Sequence, residues 1–426
     1  MKKISLALVL ITVTFITLSY VKTFSYVPFK LKTSRILTME EQKLVTLKEH
    51  RIRLKLSGLP ISTIESISDL KNDEVILLPW FTIHEKLQYL PMNNFAFFES
   101  KQGVIQVKTI SKKNDGYKHF LENNVKLTAG GTVVLARGVH KVIQRHNDIQ
   151  YPWLGTQHLF EKSDINILNF KSPLIEKFVY PKSSWVLVGK KEYAKAMANA
   201  KIDLVSIAGN HMGDATPSGL LETIRTLKDL NIETIGAGKT KTTAYACKKI
   251  KKNNTSFGFL GFNNVPGSIG RPNSKSPGIA WLDKDAINAI KSCDEKVDQL
   301  IVMVNWGIEY THVPRKKEQQ WAKRMIDAGA DLILGDQAHW VQTHEVFNGK
   351  HISYGLGNYI FDQHWSQNTT EGIIQSFIFY NNKIFAIDTI PIKLKPDGSI
   401  TEIKKNTERY FYVLDAYNGL HAAIEK

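Results

Sequence analysis

The chain of 426 residues has two cysteines, Cys247 and Cys293, too few for a disulfide-dense scaffold or a four-cysteine zinc site. They can pair, but the expected reading is two buried or idle thiols. Acidic residues are in deficit, 40 Asp plus Glu against 56 Lys plus Arg, for a formal charge of +16. That surplus attracts nucleic acid, anionic lipid or polyanionic glycan alike and says nothing about fold. The sequence has no long basic helix and no interleaving of basic with aromatic residues. Its basic residues fall in scattered groups such as Lys112-Lys113, Lys190-Lys191 and Arg315 to Lys317, so a specific nucleic-acid module is excluded. Repeats and low-complexity tracts are absent. A composition 43% hydrophobic and 23% charged rules out a disordered, collagen-like or polytopic membrane chain.

One long uncharged run is present, Ile4 to Val21, preceded by Lys2 and Lys3. At 1.5 Å per residue it spans about 27 Å, enough to cross a hydrocarbon core. No small-x-small cleavage site follows it near Tyr20 to Ser25, so residues 1–22 are expected to be a single-pass signal anchor, with a cleaved signal peptide as the alternative. Either places the bulk of the chain outside the cytoplasmic membrane, or secretes it after cleavage.

Residues 30–118 mix a charged helix, Met39 to Leu56, with short apolar runs such as Val75 to Trp80, and read as a small α/β domain of unassigned role. From 124 to 394 apolar strands alternate with helical stretches, which argues α/β. The expected strands are Lys126 to Ala136, Ile165 to Asn169, Leu204 to Ala208, Glu233 to Ile235, Ser256 to Phe262, Leu300 to Val304, Leu332 to Leu334 and His351 to Tyr354. Trp321, Met325 and Ile326 recur at helical spacing over Arg315 to Gly329, with a glycine where a C-cap belongs. Ile373 to Tyr380 and Ile384 to Ile392 flank Asn381-Asn382-Lys383 as a β-hairpin. Residues 395–426 form a C-terminal extension with a helix.

Where these strands run out, polar residues gather: Asn169; Asn210, His211 and Asp214; Asn305 and Glu309; Asp336 and His339; Asn358 and Asp362. Singly, each is an ordinary helix cap, turn residue or hydrogen-bonded histidine. Five strand ends that each deliver Asn, His or Asp match the way an α/β sheet presents ligands to a metal or phosphate.

The block from Ile202 to Gly238, containing Gly209-Asn210-His211 and Asp214, resembles the NNHxxD segment of the CapA-type poly-gamma-glutamate capsule-synthesis family. VNWGIEY (Val304 to Tyr310), DAGADLILGDQAHW (Asp327 to Trp340) and ISYGLGNYIFDQ (Ile352 to Gln363) resemble that family's HWGxEY, DAGADxxxGxHPH and YSLGNFxFDQ, in order and spacing. LTAGGTVVLARGV (Leu127 to Val139) and SDINILNFKSPL (Ser163 to Leu174) are weaker matches. Val75 to Asn93 resembles an accompanying amino-terminal module. The resemblance implies a metallophosphoesterase-like β-sandwich flanked by helices, with a metal site at the strand ends. It implies Asn169, Asn210, His211 and His339 as metal ligands, Asn210, His211, Asp214 and His339 as catalytic residues, and Glu309 and Asn358 as binding residues; Lys171, a binding residue or else a solvated loop lysine, and Asn305 are added as binding residues from their own chemistry. Phe361 and Trp365 read as a core aromatic cluster or as the rim of that site.

Four positions depart from the family pattern: Thr132 replaces an Asp, Lys171 a Glu, Asn305 a His and Gln337 a His. A two-cation site needs a bridging carboxylate and several imidazoles, and amide oxygens are weak ligands for manganese, zinc or iron. One divalent cation on Asn210, His211 and His339 remains an option. So do an ammonium from Lys171 in its place and a binding surface with no chemistry. The resemblance implies an anionic capsular polymer, or a phosphorylated substrate, as partner. The function expected is synthesis, export or retention of that polymer, with polyanion binding on an inactive fold as the alternative.

Overall fold

The computed structural model describes residues 123–419 apart from Ser184, Ser274, Asn381 and Asn406, together with Ile36–Leu37, Val75–Ile76, Asn94–Lys101 and Val104–Ser111. The expected anchor over 1–22, the helix from Met39 to Leu56 and most of the small domain at 30–118 lie outside the described residues. Contacts divide the chain into two compact units. One comprises Met1–Asn124, Phe377–Thr389 and Asn406–Phe411, the other Val125–Ser376, Ile390–Lys405 and Tyr412–Lys426. In the first, Asn94–Lys101 and Val104–Ser111 pair antiparallel, and Ile36–Leu37 pairs parallel with Val75–Ile76.

Among the described residues, fourteen strands make the two main sheets. In chain order they are β1 (Val125–Val133), β2 (Ile165–Phe170), β3 (Leu204–Ser206), β4 (Glu233–Ile235), β5 (Lys248–Lys252), β6 (Thr255–Asn263), β7 (Gln299–Asn305), β8 (Leu332–Asp336), β9 (His344–Phe347), β10 (Lys350–Ser353), β11 (Asn358–Ile360), β12 (Glu371–Tyr380), β13 (Lys383–Leu394) and β14 (Ile400–Glu402). The first sheet runs β4-β3-β2-β1-β12-β13-β14, with β11 beside β1; the second runs β5-β6-β7-β8-β10-β9. β12 and β13 are the expected hairpin, with Asn382 at φ 54° in its turn.

Strands β1 to β4 run parallel to one another in the first sheet, and β6, β7, β8 and β10 do so in the second, where β5 and β9 add antiparallel at the two edges. Parallel strands are covered on both faces and therefore read as continuous apolar runs. In β7, Leu300, Val302 and Val304 pack with Ala286 and Ile290 of helix α1 (Lys284–Asp294) and with Ala322 and Met325 of helix α2 (Lys316–Asp327). The alternate residues Ile301 and Met303 are equally buried on the opposite face. In the first sheet Leu168, Phe170 and Val205 pack with Val139, Met197, Leu220 and Leu227 from helical segments, and Ile167 and Leu204 fill the other face. A leucine buried this way contributes about 2 kcal/mol in transfer free energy.

The cysteines correct one expectation: Cys247 and Cys293 form a disulfide, their Cα atoms 5.7 Å apart. Cys247 enters β5 and Cys293 lies on α1, and Gly258 of β6 gives them room, since a Cβ there would lie 2.7 Å from Cys293 Sγ. The expected helix from Arg315 to Gly329 begins at Lys316, with Glu318 reaching back to the Arg315 amide at 3.0 Å, and Gly329 follows its end at φ 117°.

Candidate functional site

Strand register builds the site. In the first sheet Asn358, Thr132, Asn169 and Ser206 are neighbours across β11, β1, β2 and β3. In the second, Asn263, Asn305 and Asp336 are neighbours across β6, β7 and β8. The two rows meet where the Thr132 hydroxyl donates to Asp336 Oδ1 at 2.5 Å. Gly131 makes the first row close: a Cβ there would lie 2.1 Å from the Gly357 carbonyl, which accepts the Thr132 N–H at 3.0 Å.

Lys171 follows β2 and points inward. Its ammonium lies 3.1 Å from Asp336 Oδ2, with the two side chains 3% and 1% exposed. The contact is one of charge rather than a directed hydrogen bond, for Oδ2 has no partner in hydrogen-bonding geometry. The same ammonium donates to Gln337 Oε1 at 3.0 Å, and Gln337 Nε2 donates to Glu309 Oε1 at 3.0 Å. Glu309 Oε1 is also 3.9 Å from His339 Nε2. His339 Nδ1 donates to Asn358 Oδ1 at 2.8 Å, and Asn358 is held in turn by Gln363 at 3.0 Å and the Thr369 carbonyl at 2.9 Å. Burial, reinforced by the Lys171 ammonium, pushes the His339 imidazole down to about 3, so it is neutral at physiological pH with the proton on Nδ1. Burial, and then the Glu309 carboxylate, push the Tyr310 phenol up to about 12. Gln337 at φ 98° and His339 at φ 57° are in left-handed conformations, a backbone cost that persists where surroundings fix it.

A second cluster stands beside the first. His211 Nδ1 donates to Asp214 Oδ2 at 2.9 Å, and that oxygen also accepts the Leu187 N–H at 2.7 Å. The Asp214 side chain is 6% exposed and that of His211 27%. Asn210 connects loosely to Asn305, whose Nδ2 lies 3.4 Å from Asn210 Oδ1 but 2.7 Å from Asn263 Oδ1. Asn169 Nδ2 and Asn305 Oδ1 are buried without protein partners. Ordered water or a ligand is the natural partner for such atoms.

Of the sequence-predicted residues, Lys171, Gln337, Glu309, His339 and Asn358 form one chain of contacts joined to Thr132 through Asp336, while His211 pairs with Asp214 and Asn210 reaches Asn305. Asp336, seen in the sequence as one strand-end polar residue among several, is the hub. The signal was its place directly before Gln337 at a strand end. Asn263 and Gln363 gave none. Asp362 belongs elsewhere: it accepts the Gly138 N–H at 2.8 Å and pairs with Arg137 at the start of a helix. The donor set does not fit a pair of divalent cations. The position of one expected carboxylate holds an ammonium, and among the described residues no group of three or more His, Cys, Asp or Glu is placed to hold a metal.

The sequence profile described as "Bacterial capsule synthesis protein PGA_cap" matches residues 126–363. The chain belongs to this family. That span contains the side chains of the site described above, from Thr132 to Gln363, while Thr369, whose carbonyl holds Asn358, lies just beyond it. The chain is 28% identical over 293 residues to "Capsule biosynthesis protein CapA" of Bacillus anthracis, which is 66% of this chain and 70% of that protein. It is 30% identical over 265 residues to "PGA biosynthesis protein CapA" of Bacillus subtilis, 61% of this chain and 69% of that one. The solved structure of Haemophilus influenzae NAD nucleotidase is 13% identical and matches 68% of this chain and 55% of its own, at a TM-score of 0.36, too slight a likeness to argue from.

Proposed function

We propose that this PGA_cap protein serves the cell envelope in the synthesis, export or retention of an anionic surface polymer of the poly-glutamate type, and that it holds the polymer rather than cleaving it with two metal ions. The observation that carries this reading is the buried Lys171–Asp336 pair at the strand ends, 3.1 Å across, where a two-metal hydrolase would need acids and imidazoles. The metallophosphoesterase-like sandwich is then a scaffold for binding. A net charge of +16 favours association with a polyanion. The disulfide suits an oxidising compartment, as an anchor at residues 1–22 would require. The test is affinity of the purified protein for poly-gamma-glutamate against ionic strength, paired with cell-associated polymer in cells lacking the protein. Affinity that falls steeply with salt, with polymer lost from the mutant cells, is expected. Equal polymer in both strains and no binding at low salt would sink the reading.

A second reading has its own support. Asp214 orients His211 through Nδ1, the arrangement that prepares an imidazole for proton transfer at Nε2 without a metal. A variant His211→Ala that binds polymer normally but leaves its chain length altered would favour this chemistry.

A further inference from the structure

Two of the four departures from the family pattern meet at Asp336, and a third joins them through Lys171. Thr132 donates to one oxygen of Asp336, Lys171 places its ammonium against the other, and Gln337 accepts from that ammonium through its amide oxygen. The lysine stem is enclosed too: a Cβ on Gly209 would lie 3.1 Å from Lys171 Cγ. Each departure is costly alone. A lysine at the place of an acid repels a bound cation, a buried carboxylate needs a counter-charge, and a threonine cannot bridge metals. Together they satisfy one another, with one positive and one negative group, a hydroxyl donor and an amide acceptor.

From this we infer that the Lys171 ammonium is a built-in replacement for the cation of the site, carried by Asp336, and that the site assembles and holds its ligand without metal. The inference rests on the binding reading above for the ligand but not for the cation. A site held together by a covalent cation keeps its charge whatever metals surround it, and chelators do not disarm it.

The experiment uses the full chain. Wild-type protein offered manganese, zinc or magnesium is expected to take up no stoichiometric metal and to keep its melting temperature. Lys171→Ala leaves Asp336, the Gln337 amide oxygen and the Thr132 hydroxyl around an emptied position. Its melting temperature is expected to fall by about 10 °C, from the cost of an unpaired buried charge. Millimolar methylammonium or manganese should restore much of that loss while leaving the wild type unmoved. A fourfold variant, T132D with K171E, N305H and Q337H, should gain metal on elemental analysis. Should Lys171→Ala fail to fold, the double variant Lys171→Met with Asp336→Asn, which removes both charges, should melt near the wild type. Stoichiometric metal in the wild-type chain, or Lys171→Ala melting unchanged and indifferent to added cations, would overturn the inference. A metal-free wild type that binds no poly-gamma-glutamate supports the metal-free assembly of the site and removes the ligand together with the functional reading.

Discussion

The two halves of the strand-end site handle buried charge in opposite ways. Around Asp336 the charges are matched internally, with Lys171 and Asp336 each at most 3% exposed and with Thr132 and Gln337 completing their contacts. Around His211 the carboxylate is buried but the imidazole is 27% exposed, and backbone N–H groups brace the pair, that of Leu187 on the carboxylate and that of Asp214 on the His211 carbonyl. The first half is packed as core, and the second leaves its imidazole open to solvent.

This contrast predicts graded effects. The largest belongs to Lys171→Met, which strands the Asp336 carboxylate and should cost about 3–5 kcal/mol in denaturant unfolding, most of it recovered by adding Asp336→Asn. An additive pair of costs would break the comparison at its strongest point. Acid should act next. The fold lowers His339 to about 3 from an ordinary 6.5, so the native state favours the neutral imidazole. That contribution is intact above pH 6.5 and is lost as pH falls from there toward 3, reaching about 2–3 kcal/mol by pH 4.5. Urea unfolding against pH should show the slope, and His339→Asn should reduce it, leaving the part due to His344 and His351, whose imidazoles burial also lowers. Asp214→Ala should cost about 1–2 kcal/mol, since it leaves the Leu187 N–H unpaired. His211→Ala should cost less than about 1 kcal/mol, with its effect in polymer handling rather than in melting. A large destabilisation by His211→Ala would place that half in the core as well.

Local features of the fold were legible because their causes are local. Glu233–Ile235 occurs as expected, and the apolar runs from Leu300 and Leu332 are strands that extend to Asn305 and Asp336. The expected strand from Leu204 to Ala208 stops at Ser206, although Ile207 still donates to the Ile235 carbonyl at 2.9 Å. The expectation that Asn210, His211, His339 and Asn358 lie after strands came from their places in the sequence; their side chains fall in two clusters, His339 with Asn358 and His211 with Asp214. What could not be read was which side chains would answer one another. The partners of Asp336 depend on the register of two sheets, and the cysteines depend on β5 and α1 packing across Gly258. Neither arrangement leaves a periodic trace in the sequence.

The Thr132–Asp336 and Lys171–Gln337 contacts span 204 and 166 residues of chain. Such contacts repay their loop-closure entropy only after both sheets exist, which puts them late in assembly. Until then the lysine and the aspartate are each better off in water. The centre of this site is thus a closing step in the formation of the molecule, and substitutions there should hasten unfolding far more than they slow refolding.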